Sequence, residues 1–331
     1  MTASRLPEDL MNRPFSRHEA LARGITPRRL RAQDLWTPTP GVRSLEIPLS
    51  LPDRARAFAV AMPEHFAFAR ATAARLHGIP LPRELDEDPF LHIVTRTADN
   101  RVRRDEVVGH RGLETRRVVE VGGVPVVSPA DTWVDLGEYV GPGRPVGLDD
   151  VIAAGDAAAN LEGSVEALGV ALRARIRPRG KVTLDDALPY VRLGSRSAME
   201  TRSRLMVVRA GLPEPVMNLV LYSPAGDWLG VGDLGWKEER LVGEYQGVEF
   251  HSREPDRRSN DVRRVGIENG DWRYVEIVSA DVFEEAARAA KLREIATKLG
   301  RSPHLLRLHD AGPQFFAPAK PRSTDRLGAV G

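Results

Sequence analysis

The stretch Val231-Gly-Asp-Leu-Gly-Trp236, Lys237-Glu-Glu-Arg240, Leu241-Val-Gly-Glu-Tyr-Gln246 decides how this chain is read. Two apolar runs flank a short charged turn, the pattern of an antiparallel hairpin. Each run is interrupted by a carboxylate, Asp233 in the first and Glu244 in the second, although strands are depleted in aspartate. Centring the turn between Glu238 and Glu239 sets Asp233 opposite Glu244. Opposed side chains on one face of a hairpin lie about 4.5–5.5 Å apart at Cβ. Two carboxylates that close repel unless a cation lies between them, and Mg²⁺ takes oxygen ligands with only one or two carboxylates. Solvated edge residues, or partners for Arg196 and Arg202, are the plainer reading of the same two acids.

Outward from the hairpin, Ser195 to Ala210 fits a helix stopped by Gly211, and Val216 to Tyr222 reads as the strand before it. Arg257 to Asn269 is a basic helical segment, Trp272 to Val278 alternates as a strand, and Asp281 to Leu299 is a long amphipathic helix. The order is α-β-β-β-α-β-α. Further upstream, residues 51–194 alternate helix-like and strand-like pieces: a helix over Ala67–Gly78, strands at Leu91–Thr95 and Gly123–Ser128, and a helix opening at Ser128-Pro129. At the front, Ser16 and Glu19 have capping-box spacing, Gly24 supplies a stop, and Thr26-Pro27 opens a second, basic helix over residues 27–32. That pair reads as a helix-turn-helix, with Arg28, Arg29 and Arg31 on its recognition helix. The expectation is a multidomain α/β protein: a winged helix at 1–50, a middle α/β module at 51–194, an αβββαβ domain at 195–300, and a poorly ordered tail at 301–331.

Composition narrows the chemistry. The 331 residues hold 48 Lys+Arg against 46 Asp+Glu and no cysteine, which excludes disulfides, thiolate nucleophiles and Cys-ligated metals. Only Lys181, Lys237, Lys291, Lys298 and Lys320 are lysines, so the basic surface is almost wholly guanidinium, a group suited to phosphate. A GC-rich genome yields the same bias. There is no run of about 18 uncharged apolar residues and no apolar signal core, so no membrane partner and a cytoplasmic location are expected. No P-loop, G-x-S-x-G or HExxH occurs.

Glu200, Asp233 and Glu244-Tyr-Gln-Gly247 with His251, in this element order, resemble the PD-(D/E)XK nuclease superfamily, in particular its very-short-patch-repair-like endonucleases. The likeness covers about residues 195–300 and implies a restriction-endonuclease-like fold that cleaves DNA with Mg²⁺ or Mn²⁺. It implies that Asp233, Glu244 and the main-chain carbonyl of Tyr245 hold the metal, with Glu200 at the edge of the site and His251 in support. Gln246 stands where the superfamily usually has lysine; an amide can donate to a phosphate oxygen or orient a water but brings no charge. Ser197 and Glu200 also have capping-box spacing, and Arg204 lies one turn on, so Glu200 has a purely structural reading as well. Phe15, Glu19-Ala-Leu, Gly24-Ile-Thr, Arg28 and Leu30, then Ala71–Gly78 and Gly122–Pro129, resemble AbiEi-like abortive-infection antitoxins.

Together the two resemblances imply a metal-dependent endonuclease of defence, repair or mobile-element control. They leave room for a homodimer and for a toxin or defence-system partner. Arg28, Arg29, Arg31, Arg257, Arg258, Arg263 and Arg264 are the candidate contacts to the DNA backbone, although a basic helical face is more often simply solvated. The alternative is a DNA-binding antitoxin-like regulator whose nuclease fold is inactive, and a protein–protein adaptor is a third reading.

Overall fold

Apolar residues of the hairpin alternate between two cores, and that alternation places its carboxylates. The computed structural model describes residues 6–247 and 263–315. It is a mixed α/β structure whose chain divides into two units. The first takes residues up to Glu138 with Ala153–Arg179 and Val191–Ala198; the second takes Tyr139–Ile152, Gly180–Tyr190 and the chain from Met199. Residues 139–152 and 180–190, which lie inside the segment read as a middle module, therefore group with the C-terminal residues.

In the first unit, α1 (Glu8–Met11), β1 (Phe15–Ser16), α2 (Arg17–Ala22) and β2 (Val42–Arg43) surround a small core of Leu6, Leu10, Phe15, Ala20, Ile25, Leu30 and Leu35. β1 pairs antiparallel with β2. The Ser16 hydroxyl accepts from Glu19 N–H at 2.9 Å, the cap expected for α2. The second helix is not formed. Residues Arg29–Arg31 make one 3-10 turn, and the backbone leaves it extended at Ala32. The Arg29 guanidinium grips Asp34 through two 2.8 Å hydrogen bonds, a contact that holds the chain in a turn where a helix would carry it past.

The unit continues through α3 (Leu51–Ala59), β3 (Phe66–Phe68), α4 (Arg70–His77), α5 (Arg83–Asp86), β4 (Leu91–Thr95), β5 (Arg103–Arg104), β6 (Val107–Arg111), β7 (Val118–Val121), β8 (Val124–Val127), α6 (Pro129–Leu136), α7 (Leu148–Glu162) and α8 (Val165–Ala174). The first five residues of α7 belong to the second unit. Six strands form a mixed sheet in the order β5-β6-β4-β3-β8-β7, with β4 buried along its whole length. Gly78 ends α4 at φ 72°, a left-handed position that favours glycine. Ser128 caps α6 by accepting from Asp131 N–H, with Pro129 at its first position.

The second unit holds α9 (Lys181–Ala187), α10 (Ala198–Arg209, from its second residue), β9 (Val216–Tyr222), β10 (Trp228–Trp236), β11 (Leu241–Gln246), helical residues 263–269 (α11), β12 (Arg273–Val278), α12 (Ser279–Phe283) and α13 (Glu285–Lys298). Its sheet runs β12-β11-β10-β9, with β11 parallel to β12 and the other pairs antiparallel. Leu234, Trp236, Leu241, Val275 and Ile277 join Met206, Val207, Leu292 and Ile295 of the helices in one core. Val242 and Tyr274, the alternate residues of the same strands, join Leu221, Ile267 and Trp272 in another. The helix expected over 281–299 is broken at Glu284, whose ψ of 126° is extended.

Residues 301–315 are not a loose tail. Leu306, Leu308 and Ala311 pack into the larger core, and Arg307 N–H donates to the carbonyl of Ala210. The apolar residues spaced along this proline-bearing stretch give it something to bury. Residues 316–331 lie outside the described residues. Among the described residues no helix is long and apolar enough to cross a membrane.

Candidate active site

The hairpin register is the one its turn predicts. Trp236 pairs with Leu241, Gly235 with Val242 and Leu234 with Gly243. One further step sets Asp233 across from Glu244, on the face shared by Gly235 and Val242. There the ladder gives way to a side chain: Tyr245 N–H donates to Asp233 Oδ2 at 2.9 Å. The turn has thus brought the two carboxylates to one place, and the backbone of Tyr245 fixes the first of them.

Burial pushes the Asp233 carboxyl up to about 6. The Tyr245 N–H opposes that shift, the negative charges of Glu200 and Glu244 add to it, and Arg263 offsets part of it. Glu244 is 6% exposed, and burial raises it as well, against Arg263 and the hydroxyl of Tyr274. That hydroxyl donates to Glu244 Oε2 at 3.2 Å. The other oxygen, Oε1, lies 2.6 Å from Arg263 Nη2 as a charge contact outside hydrogen-bond geometry. It is a buried oxygen with no N–H or O–H aimed at it among the described residues.

Glu200 sits in the first turn of α10, buried, and its Oε2 accepts from Asn218 Nδ2 at 2.8 Å. Asn218 holds the left-handed φ of 49°, which asparagine tolerates better than most residues. Met217 and Leu219 pair with Leu234 and Gly232 of β10, so Asn218 lies level with Asp233 and ties Glu200 to that part of the sheet. Arg204 reaches Glu214 at 3.1 Å, and Arg202 pairs with Asp150 while lying over the Phe283 ring. Gln246, two residues beyond Glu244 on the same face, hydrogen-bonds the Tyr274 hydroxyl. One phenol therefore ties Glu244 to Gln246.

Tyr274 and Asn218 were missed by sequence reasoning. Tyr274 had a signal: it alternates with Val275 in β12, and β12 pairs with β11 so that Tyr274 sits beside Val242. Asn218 had none, because its role depends on a backbone conformation. Arg263, read as a phosphate contact, lies on Glu244 and also donates to the Val231 carbonyl. Arg264 pairs with Glu268 at 3.2 Å and stacks over Tyr274, 5.3 Å from the ring centre. His251, Arg257 and Arg258 lie outside the described residues. In the first unit Arg28 and Arg31 are exposed, whereas Arg29 is 7% exposed and committed to Asp34.

No group of three or more His, Cys, Asp or Glu side chains is placed to hold a metal among the described residues. Two carboxylates and a main-chain carbonyl are nevertheless a donor set that Mg²⁺ accepts, since it keeps several waters of its own. The donorless oxygen of Glu244 is what such an ion would satisfy. The residues present fit the ion.

The chain is 28% identical over 252 residues to a protein of Mycobacterium tuberculosis strain ATCC 25618 / H37Rv, "Uncharacterized protein Rv2248", covering 75% of this chain and 87% of that one. The same figures hold for "Uncharacterized protein MT2308" of Mycobacterium tuberculosis strain CDC 1551 / Oshkosh. No family model matches the chain. No solved structure matches it.

Proposed function

We propose that this protein is a metal-dependent DNA endonuclease of the PD-(D/E)XK type. The reading comprises an N-terminal DNA-reading segment of winged-helix type, in which a 3-10 turn at Arg29–Arg31 stands in place of the recognition helix, a middle α/β module and a C-terminal αβββαβ nuclease domain. The observation that carries it is the Asp233–Glu244 pair, one step beyond the Leu234–Gly243 pair of the hairpin, half-buried to buried, with one carboxylate oxygen left without a donor among the described residues. Asp233, Glu244 and the Tyr245 carbonyl would hold Mg²⁺ or Mn²⁺. Such an ion polarises a phosphodiester and lowers the pKa of a bound water. The residues of the chain then divide the remaining work. Tyr245 N–H fixes the Asp233 carboxylate, and Tyr274 orients Glu244 and Gln246 together. The Gln246 amide donates to a phosphate oxygen or aims the water. Glu200, held by Asn218, adds negative charge that strengthens cation binding at Asp233. Defence, repair or mobile-element control is the setting this activity suits, with DNA as partner.

The test is Mg²⁺-stimulated cleavage by purified protein. Asp233→Ala and Glu244→Ala are each expected to abolish it, and Gln246→Ala to reduce it. Cleavage that survives both carboxylate changes sinks the assignment.

A second reading is a DNA-binding, antitoxin-like regulator whose nuclease fold is inactive. Two features favour it: Gln246 brings no charge, and Arg263 already contacts Glu244. It expects sequence-specific retardation of a promoter fragment in EDTA with no cleavage in Mg²⁺.

A further inference from the structure

Arg263 is the first described residue of α11, and its guanidinium reaches back across β10 into the acid pair. It donates to the Val231 carbonyl and lies 2.6 Å from Glu244 Oε1. Gly230, at φ 142°, borders that path; a Cβ added there would only touch the side chain, 3.7 Å from Arg263 Nε. The two ends of the contact differ in exposure. Glu244 has 8% of its side chain exposed and Arg263 has 42%. A buried anion held by the Tyr274 hydroxyl is therefore matched by a cation that solvent reaches.

We propose that the Arg263 guanidinium is the resident cation of the Asp233–Glu244 pocket, and that a divalent metal and this side chain bind Glu244 in competition. The inference rests on the metal-binding reading given above and adds a determinant of metal affinity to it. A buried carboxylate left without a counter-charge is costly, so some cation must stay with Glu244. Arg263 fills that need in the metal-free protein. Entry of the metal at Glu244 Oε1 removes the need, and two positive charges do not share one carboxylate oxygen in a buried site. Metal affinity is accordingly set by how firmly Arg263 holds its place, as well as by the ligands themselves.

The experiment is calorimetric titration of the full chain with Mn²⁺, without DNA, comparing wild type with Arg263→Gln, Arg263→Lys and Glu244→Gln. Arg263→Gln should bind Mn²⁺ at least tenfold more tightly than wild type. Arg263→Lys keeps the charge without the planar fork, should fall between the two, and serves if the neutral variant does not fold. Glu244→Gln should not bind. Equal or weaker Mn²⁺ binding by both Arg263 variants, with Glu244→Gln still inactive in binding, overturns the competition and leaves the metal site standing. Absence of Mn²⁺ binding in wild type and in both Arg263 variants overturns the metal reading and this inference together.

Discussion

Burial of Asp233 works against the fold, and in the proposed nuclease it would serve the chemistry. Its carboxyl is raised to about 6 from an ordinary 3.8, chiefly by burial, so the folded chain holds a proton more tightly than the unfolded chain does. Stability therefore falls as pH rises from about 4 through 6, and the cost is fully present above that window. In Asp233→Asn the amide oxygen still accepts from Tyr245 N–H, while the buried charge is gone. In metal-free buffer this variant should be more stable than wild type by up to about 3 kcal/mol at pH 7–8. The gain should vanish below about pH 4, and denaturant melts across that range measure it. The comparison with wild type matters because other buried groups pull the opposite way. Burial lowers His77 and His92 and takes His110 down to about 3, so each costs stability as pH falls below its unfolded value. Their contribution is common to both proteins and cancels. A variant that gains stability while losing cleavage marks a carboxylate kept for function; one that loses stability at pH 8 contradicts the burial argument.

Elements whose sequence carries strong alternation were legible, and those fixed by a single polar contact were not. β9, β10 and β11 begin and end where their apolar runs do, and the Lys237–Arg240 turn was enough to set the register that opposes Asp233 and Glu244. The basic run at 27–32 failed as a helix because Arg29 is drawn to Asp34, a tertiary preference that a helix-start signal of Thr and Pro cannot reveal. Residues 301–315 failed for a different reason: their prolines suggested disorder, while Leu306 and Leu308 were spaced to pack. The largest unread feature joins α6 to its neighbours. Asp135, 3% exposed, receives a two-pronged contact from Arg116, with closest approach 2.7 Å, and a 3.1 Å bond from Arg175. Arg175 also holds Asp131 at 2.9 Å. Removing one partner of a buried ion network strands the others, at a cost of about 3–5 kcal/mol. Asp135→Ala should lower the unfolding midpoint accordingly. A change below about 1 kcal/mol, within the range of an exposed pair, would mean the network adds little to the fold.

At the scale of the molecule, charge is nearly balanced, with 48 basic against 46 acidic side chains, so the DNA binding proposed above would have to come from particular arginines and not from net charge. The structure separates those arginines by what they already do. Arg28 and Arg31 are exposed, whereas Arg29 is spent on Asp34 and buried. If the front of the first unit reads DNA, each phosphate contact releases counterions, and losing one contact lowers the slope of log affinity against log salt by about 1. Arg28→Ala and Arg31→Ala should each flatten that slope with no measurable loss of stability. Arg29→Ala should do the reverse, leaving the slope intact while costing roughly 1.5–3 kcal/mol through its lost charged hydrogen bonds. Gel shifts in EDTA at several salt concentrations, paired with thermal melts, distinguish the two classes. The discriminating power lies in the contrast, because neighbours in one sequence run are assigned opposite duties by burial alone. Should Arg29→Ala flatten the slope as much as its neighbours do, the pair with Asp34 must open on DNA, and the 3-10 turn would be a resting form of a reading element. Should none of the three change it, phosphate is not gripped by this front end, and the regulator reading loses the residues it depends on.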